Sequence, residues 1–279
     1  MNYAFMALFM CIIILPFIFV INGSLVSETE FVRTGGIILL PRSLNLNVYR
    51  FLFGEGSILN SFYISIARLL VGVPLSMTLT TMLAYAMTKK DMPGYGLLMV
   101  FLVFNMYFSG GLIPYLFLVR DIGLYDTFGM YILPSAVSIY NALLLRNFLN
   151  TIPESLSESA VLDGASELVI LTRIILPLAV PGIATISLFF AVSHWNDWFT
   201  GLAYMSQDRA LPLQTYLRKL ITIDQFTLNY MEQRVEMRPP IPESLKMGAI
   251  VITTLPIVCV YPFVQKYFVK GLLIGAVKG

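Results

Sequence analysis

The chain has 279 residues, of which 57% are hydrophobic and 12% charged, and its mean hydropathy is +0.78. Soluble domains carry about a quarter charged residues, so this composition indicates a membrane protein. The net charge of +2, without a basic run, gives no support to a nucleic-acid partner. The only histidine is His194, which excludes a zinc site made of several histidines, and the spacing of Cys11 and Cys259 indicates neither a metal site nor a disulfide framework.

Six apolar stretches are long enough to cross a membrane, because a bilayer core about 30 Å thick needs roughly 20 helical residues. They are Tyr3–Ile21, Leu69–Met87, Leu97–Val119, Phe128–Leu145, Pro181–Tyr204 and Met247–Tyr267. The first stretch lacks the basic start and the cleavage site of a signal peptide, so it is predicted to remain as a span. The chain is therefore predicted to be an all-α, multi-pass membrane protein, and six spans would place both termini on the same side of the membrane.

Charged residues test this topology. An arginine at the centre of a bilayer costs about 2.5–3.5 kcal/mol on insertion scales. We therefore predict that Arg68 lies at the outer mouth of the second span, where its guanidinium can reach the headgroups. Lysines lean towards the inner segments, but the outer segments hold as many basic residues, so charge supports the orientation only weakly.

Prolines and glycines interrupt several of these spans. They stand at Pro16, Pro74, Gly110-Gly111, Pro114, Pro134, Pro256 and Pro262. Such breaks persist in a membrane where neighbouring helices, hydroxyl groups or cavity water satisfy the freed backbone groups. A bundle with a wet interior and simple kinks between packed helices are both consistent with this pattern.

A polar segment, residues 151–177, separates the fourth and fifth spans. Thr151 and Glu154 have the spacing of a capping box, and the sequence predicts a short helix that ends at a turn formed by Asp163 and Gly164. A second helix is predicted from Ala165 to the membrane. Small residues at the bend allow another protein to approach closely, so the segment is interpreted as a docking element, with an ordinary interfacial loop as the alternative.

The same segment resembles a known motif. The run Glu158-Ser159-Ala160, followed by Asp163-Gly164-Ala165-Ser166 and by Leu176-Pro177, is similar to the cytoplasmic EAA loop of ABC importer permeases, although Ser159 and Leu171 replace the usual alanine and phenylalanine. The Tyr107–Pro114 segment, the His194–Trp198 segment and the Gly275–Gly279 ending extend the likeness over nearly the whole chain. Within the maltose-type carbohydrate permeases, the chain most resembles the branch associated with complex oligosaccharides and polysaccharide fragments.

The resemblance implies a six-helix, type I ABC importer permease with one transmembrane domain over residues 1–279. It also implies a second permease subunit as hetero-dimer partner, two cytoplasmic ATPase subunits and an extracytoplasmic sugar-binding protein. The location that it implies is a bacterial cytoplasmic (inner) membrane, with the EAA loop and both termini in the cytoplasm. The residues assigned to ATPase docking and coupling are Glu158, Ser159, Ala160, Asp163, Gly164 and Ala165. The chain has no P-loop, so no catalytic residue is predicted, and ATP and magnesium are expected on the partner subunits.

Two outer features are candidates for contact with sugar. His194, Trp195, Asn196, Asp197 and Trp198 combine aromatic faces with amide and carboxylate groups, which is how proteins commonly hold sugars; an aromatic belt at the membrane interface is the alternative. The outer segment 205–243 corresponds to a loop that reaches into the binding protein in maltose-type importers, or it is a solvated loop.

Other functions receive less support from the sequence. A membrane-embedded hydrolase needs a nucleophile beside a base, but only Ser193 adjoins His194 and the chain has no Gly-x-Ser-x-Gly elbow. An ion channel is expected to show a filter-like loop or a charged ring, and neither is evident. A permease of the same type for another solute remains the main alternative.

Overall fold

Long apolar runs fold as helices throughout the computed structural model, which describes residues 2–54, 56–206, 210–222 and 242–276. The helices are α1 (Asn2–Ser24), α2 (Glu28–Arg33), α3 (Asn47–Gly54), α4 (Ser57–Ala86), α5 (Tyr95–Tyr107), α6 (Leu112–Asp121), α7 (Ile139–Leu149), α8 (Glu154–Leu162), α9 (Glu167–Leu178), α10 (Val180–Asn196), α11 (Phe199–Tyr204), α12 (Leu213–Ile221) and α13 (Pro242–Ala276). These ranges contain no strand, so the all-α prediction is confirmed for them.

Three helices are long and apolar enough to cross a membrane without a break. They are α1, α4 and the part of α13 from Glu243 to Pro262. The apolar window of α1 has no buried residue, so its side chains are free to contact lipid. Helix α4 begins at Ser57, twelve residues before the predicted start of the second span at Leu69, and this extension brings Arg68 well inside a continuous helix.

Two bent helix pairs each have, taken together, the length and apolar composition of a span. Helices α5 and α6 meet at 112° and helices α9 and α10 at 84°, so up to five spans are present in the described part of the chain. The predicted stretch Leu97–Val119 is therefore not one helix, because the chain leaves the helical path between Phe108 and Gly111. The predicted stretch Pro181–Tyr204 is divided as well, since α10 ends at Asn196 and α11 starts at Phe199.

The predicted fourth stretch, Phe128–Leu145, also needs correction. It begins with a 3₁₀ turn at Phe128–Tyr131, and α7 starts only at Ile139. Eleven residues of α-helix extend about 16 Å, which is roughly half of a bilayer core. The stretch is apolar throughout, and this explains why composition alone predicted a continuous span.

The described chain falls into two compact units, Met1–Ile64 with Asp208–Val260 and Ser65–Gln207 with Tyr261–Gly279. In the first unit, α13 packs closely against α3 through a glycine. A Cβ atom added at Gly248 would overlap the side chain of Val48, so a larger residue does not fit there. The hydroxyl groups of Ser24 and Tyr49 share a 2.7 Å hydrogen bond in the same unit.

The second unit has its core where α4, α7, α9 and α10 meet. Its buried side chains are Met77, Ala84, Leu145, Leu149, Ala160, Ile170, Leu171, Ile175, Ala179, Ile186 and Phe190. Close approach of α10 to α7 depends on Gly182, where an added Cβ atom would lie 2.8 Å from the ring of Phe148. Small residues at helix contacts are typical of membrane bundles. The centre of α9, Ile170–Ile175, is a π-helix inside this core.

Candidate functional site

Helix α8 forms the first half of the predicted docking element. It ends at Leu162 as predicted, and the turn that follows is a Schellman motif. The amide of Ala165 donates to the carbonyl of Ala160 at 2.9 Å, and the amide of Gly164 donates to the carbonyl of Val161 at 3.0 Å. Gly164 has φ +77°, a conformation that favours glycine. The Asp163-Gly164 signal therefore predicted this turn correctly.

The start of α8 differs from the sequence prediction. Pro153 is the N-cap residue, and no side chain caps the helix there. The hydroxyl of Thr151 donates to the carbonyl of Phe148 at 2.7 Å instead. The capping box predicted from Thr151 and Glu154 is therefore wrong, because Thr151 completes the end of α7 rather than the start of α8. The second helix also starts later than predicted, at Glu167 rather than Ala165.

One residue attaches α8 to the bundle while its neighbours remain accessible. Ala160 is 9% exposed and belongs to the same core as Ile170 and Leu171 of α9. Of the residues predicted to dock an ATPase, Glu158, Ser159, Asp163 and Gly164 are exposed and Ala165 is half-buried. Beside them, the apolar side chains of Val161 and Leu162 are 54% and 88% exposed. Helix α8 thus offers a mixed polar and apolar surface on a base that is packed into the core.

A second contact links the docking element to the end of α4. The carboxylate of Glu167 accepts a hydrogen bond from the hydroxyl of Tyr85 at 2.5 Å and one from the ammonium of Lys89 at 2.9 Å. These two interactions, the Tyr85 bond first, hold the pKa of the Glu167 carboxyl below its usual range. Both members of the ion pair are exposed, so its contribution to stability is small, roughly 0–1 kcal/mol.

A buried ion pair occupies the other predicted site. The side chain of Arg68 is 3% exposed, and one of its terminal nitrogens lies 2.5 Å from the Asp197 carboxylate. Its Nε–H donates to Nδ1 of His194 at 3.1 Å, and its guanidinium lies 5.1 Å from the ring centre of Tyr131. The prediction that Arg68 reaches the headgroups is therefore wrong. A guanidinium inside a span can be kept if a carboxylate pairs with it, and Asp197 supplies that carboxylate.

Gly72 makes room for this cluster. It lies one turn after Arg68 in α4, and a Cβ atom added there would be 2.8 Å from Nε2 of His194. The imidazole therefore packs directly against the α4 backbone. Asp197 itself ends α10, and its second carboxylate oxygen accepts from the amide of Thr200 at 3.1 Å. The pair thus connects α4 to the break between α10 and α11.

The five residues predicted to line the sugar path do not share one environment. His194 and Trp195 are buried, at 3% and 6% exposure, and Asp197 is paired with Arg68. Asn196 and Trp198 are exposed, and the Trp198 ring contacts that of Phe199 edge-on at 5.8 Å. Within this cluster, Asn196 and Trp198 present the most accessible side chains, the Asp197 side chain is 23% exposed, and the pathway role of the cluster remains a prediction.

Comparison with known proteins identifies the chain. The model of the family described as "Binding-protein-dependent transport system inner membrane component" matches residues 1–274. The chain belongs to this family. It is the permease subunit of an ABC transport system, and the prediction that it is a transport subunit rather than an enzyme is confirmed.

Individual relatives agree with this assignment. The permease is 40% identical over 277 residues to the polygalacturonan/rhamnogalacturonan transport system permease protein YtcP of Bacillus subtilis, covering 99% of this chain and 96% of the relative. It is 31% identical over 225 residues to the osmoprotective compounds uptake permease protein GgtD of Synechocystis, covering 79% of this chain and 69% of the relative. The permease also matches a solved structure, a chain in the crystal structure of a bacterial ABC transporter involved in the import of the acidic polysaccharide alginate. The TM-score is 0.86 at 30% identity, and the match covers 96% of this chain and 95% of that chain.

Sequence reasoning missed three parts of the permease site. Arg68 and Tyr131 are far from the His194–Trp198 segment in sequence, and the only signal for Arg68 was its position inside an apolar run. The contact of Glu167 with Tyr85 and Lys89 gave no signal in the sequence.

Within the described ranges, no group of three or more His, Cys, Asp or Glu side chains could hold a metal ion. Of the predicted outer segment 205–243, residues 207–209 and 223–241 lie outside the described residues.

Proposed function

We propose that the permease is the membrane subunit through which an ABC importer takes up oligosaccharides delivered by an extracytoplasmic binding protein. The observation that carries the proposal is the geometry of α8, a largely exposed helix that packs into the bundle through Ala160 and ends at the Gly164 turn. The saccharides for which YtcP and the alginate transporter are named support a saccharide rather than another solute.

The structure suggests how a docked ATPase acts on the transport path. Ala160 of α8 shares a core with Ile170 and Ile175 of the π-helical centre of α9, and α9 continues into α10. A displacement of α8 therefore reaches α10, whose far end carries Asp197. We propose that ATP-driven closure of two partner ATPases moves α8 and switches the permease pair between inward-open and outward-open states. Changing such an equilibrium from 1:99 to 99:1 requires about 5.5 kcal/mol of differential binding.

The proposal includes a topology. Both termini and the docking segment 151–177 lie in the cytoplasm, and a second, different permease subunit completes the pathway. A Ser157→Cys variant, made with Cys11→Ser and Cys259→Ser, tests this. A membrane-impermeant maleimide is expected to label it in inside-out vesicles and to leave it unlabelled in intact cells. Labelling from the outside of intact cells would refute the topology.

Transport itself is tested with the complete complex. The permease is purified with the proteins that accompany it, and an ATPase and a second permease are expected among them. Proteoliposomes that contain this complex, the binding protein and ATP are then assayed with labelled trigalacturonate, an arabino-oligosaccharide and betaine, an osmoprotective compound that is not a saccharide. Uptake of an oligosaccharide supports the proposal. Uptake of betaine alone would indicate a permease for another solute, as the likeness to an osmoprotective compounds uptake permease allows, and would refute the oligosaccharide assignment.

A further inference from the structure

An open groove lies at the break between α5 and α6. It encloses about 520 Å³ and is lined by Ser109, Gly110, Gly111, Leu112, Pro114, Tyr115, Leu118, Phe199 and Tyr204. None of these residues carries a formal charge at neutral pH. On the assumption that the proposed function is correct, we propose that this groove binds a sugar ring of the oligosaccharide as it passes through this subunit.

The backbone at the break indicates that the groove is wet. Residues Phe108 to Gly111 leave the helical path and are exposed. Lipid cannot satisfy the hydrogen-bonding groups of a non-helical backbone, so such a segment is tolerated at membrane depth only when it is buried in protein or lines a water-filled cavity. The groove therefore suits a hydroxylated solute that can bond to peptide groups, rather than an acyl chain.

The aromatic wall of the groove suits the other surface of a sugar. Tyr115 and Tyr204 meet edge-to-face at 5.7 Å and 74°, and Phe199 meets Tyr204 at 6.2 Å and 86°. Rings set at right angles expose faces in more than one direction, and such faces pack well against the C–H surface of a sugar. The side chain of Phe199 is 42% exposed, so its face is accessible, whereas the 5% exposed Tyr204 supports it from behind.

Hydrogen bonds hold this wall in place. The amide of Asp126 donates to the carbonyl of Tyr204 at 3.0 Å. The Asp126 carboxylate accepts from the amide of Ser206 at 2.9 Å and from the Ser206 hydroxyl. The end of α11 is therefore attached to the connection that follows α6, so the two sides of the groove keep a fixed separation. A preformed site loses less entropy when it binds its ligand.

Substitution at Gly110 tests the groove directly. A Cβ atom added there meets only Pro114, at 4.0 Å, so a leucine side chain fits without a backbone clash and occupies the groove. We expect Gly110→Leu to reduce trigalacturonate uptake per folded complex about tenfold, which corresponds to about 1.4 kcal/mol. Gly96→Leu, at an exposed glycine of α5 with open space around it, is the matched control and should transport normally. Phe199→Leu, which replaces the ring by a smaller aliphatic side chain, should also reduce uptake.

Three readouts separate the possible results. Binding-protein-stimulated ATPase activity and co-purification of the second permease should remain normal in Gly110→Leu. Because the lining is uncharged, trigalacturonate and its methyl ester should lose uptake equally. Loss of co-purification would show that the second permease covers the groove, and would overturn the proposal. If the wild-type complex imports saccharide and Gly110→Leu does so normally, the sugar-binding role of the groove is refuted and the proposed function stands. If the wild-type complex imports no saccharide, both the proposed function and the sugar-binding role are refuted.

Protection from labelling provides a measurement that does not depend on turnover. Leu112 is 53% exposed in the groove, so a Leu112→Cys variant without Cys11 and Cys259 should react with a maleimide in the assembled complex. We expect trigalacturonate to slow this reaction and to leave unchanged the reaction of an Asp121→Cys variant at the far end of α6. Equal reaction rates at Leu112→Cys with and without the saccharide would contradict the proposal.

Discussion

Removal of the Asp197 charge is expected to destabilise the permease strongly. Asp197→Asn keeps the oxygen that accepts from Thr200 and removes the charge that pairs with Arg68. The Arg68 side chain, 3% exposed, would then be a buried cation without a counter-charge. Breaking a buried ion pair from one side costs about 3–5 kcal/mol. Because the Asp197 side chain is 23% exposed, we expect the lower end, about 3 kcal/mol.

Heating the purified complex measures this loss. For chains of about 150–250 residues, 1 kcal/mol shifts the unfolding midpoint by about 2–4 °C, so Asp197→Asn should lower it by roughly 6–12 °C. The midpoint is read from the fraction that remains monodisperse on size-exclusion chromatography. The matched control is Asp121→Asn, at an exposed aspartate that ends α6, and its midpoint should equal that of the wild type.

The double variant Arg68→Gln/Asp197→Asn decides whether the two residues act as a pair. Its loss of stability should be smaller than the sum of the two single losses by about 1.5 kcal/mol or more, because neither charge is left alone. Strict additivity would refute a direct pair. An Asp197→Asn midpoint within about 1 °C of the wild type would show that the buried charge is compensated in another way.

The remaining predictions concern the docking element and the first unit. Gly164→Leu puts a branched side chain at φ +77°, at a cost of about 1–2 kcal/mol in backbone strain. Less ATPase should therefore co-purify with the variant, and normal recovery of the ATPase would contradict the docking role. Gly248→Ala forces a Cβ atom against the Val48 side chain of α3 and should lower the free energy of unfolding by about 1–3 kcal/mol. The control Gly96→Ala should leave it unchanged. Equal unfolding midpoints for the two variants would contradict this prediction. The hydrogen bonds from Tyr85 and Lys89 lower the pKa of the Glu167 carboxyl. The Glu167–Lys89 pair therefore stabilises the protein above the ordinary carboxyl pKa, and this stabilisation is lost as the pH falls through the lowered pKa. The difference in free energy of unfolding between wild type and Glu167→Gln, below about 1 kcal/mol at pH 7, should therefore vanish in acid. A difference that persists there would refute the pair.

Local signals in the sequence were sufficient for the docking turn. The φ of +77° at Gly164 follows from the Asp-Gly signal, because glycine alone adopts that conformation without strain. The capping box failed because Thr151 had two nearby partners. Its hydroxyl bonds back to Phe148 at the end of α7, and a pattern of residue types does not distinguish this bond from a bond forward to α8.

Long-range contacts were beyond the sequence patterns. Arg68 was assigned to the headgroups because its counter-charge, Asp197, lies 129 residues further along the chain. Apolar composition also concealed the division of Phe128–Leu145, since the 3₁₀ turn and α7 are equally apolar. The Gly110-Gly111 break was visible in the sequence, but its opening into a groove depends on Phe199 and Tyr204, which the chain brings there from another helix.

The distance between Arg68 and Asp197 along the chain has a consequence for biogenesis. Ribosomes add about 5–20 residues per second, so the 129 residues that separate the pair take roughly 6–26 s to synthesise. During this interval α4 has already left the ribosome with an arginine whose counter-charge has not yet been translated. Until α10 follows, α4 carries this arginine without its partner, at a cost of up to about 2.5–3.5 kcal/mol on insertion scales.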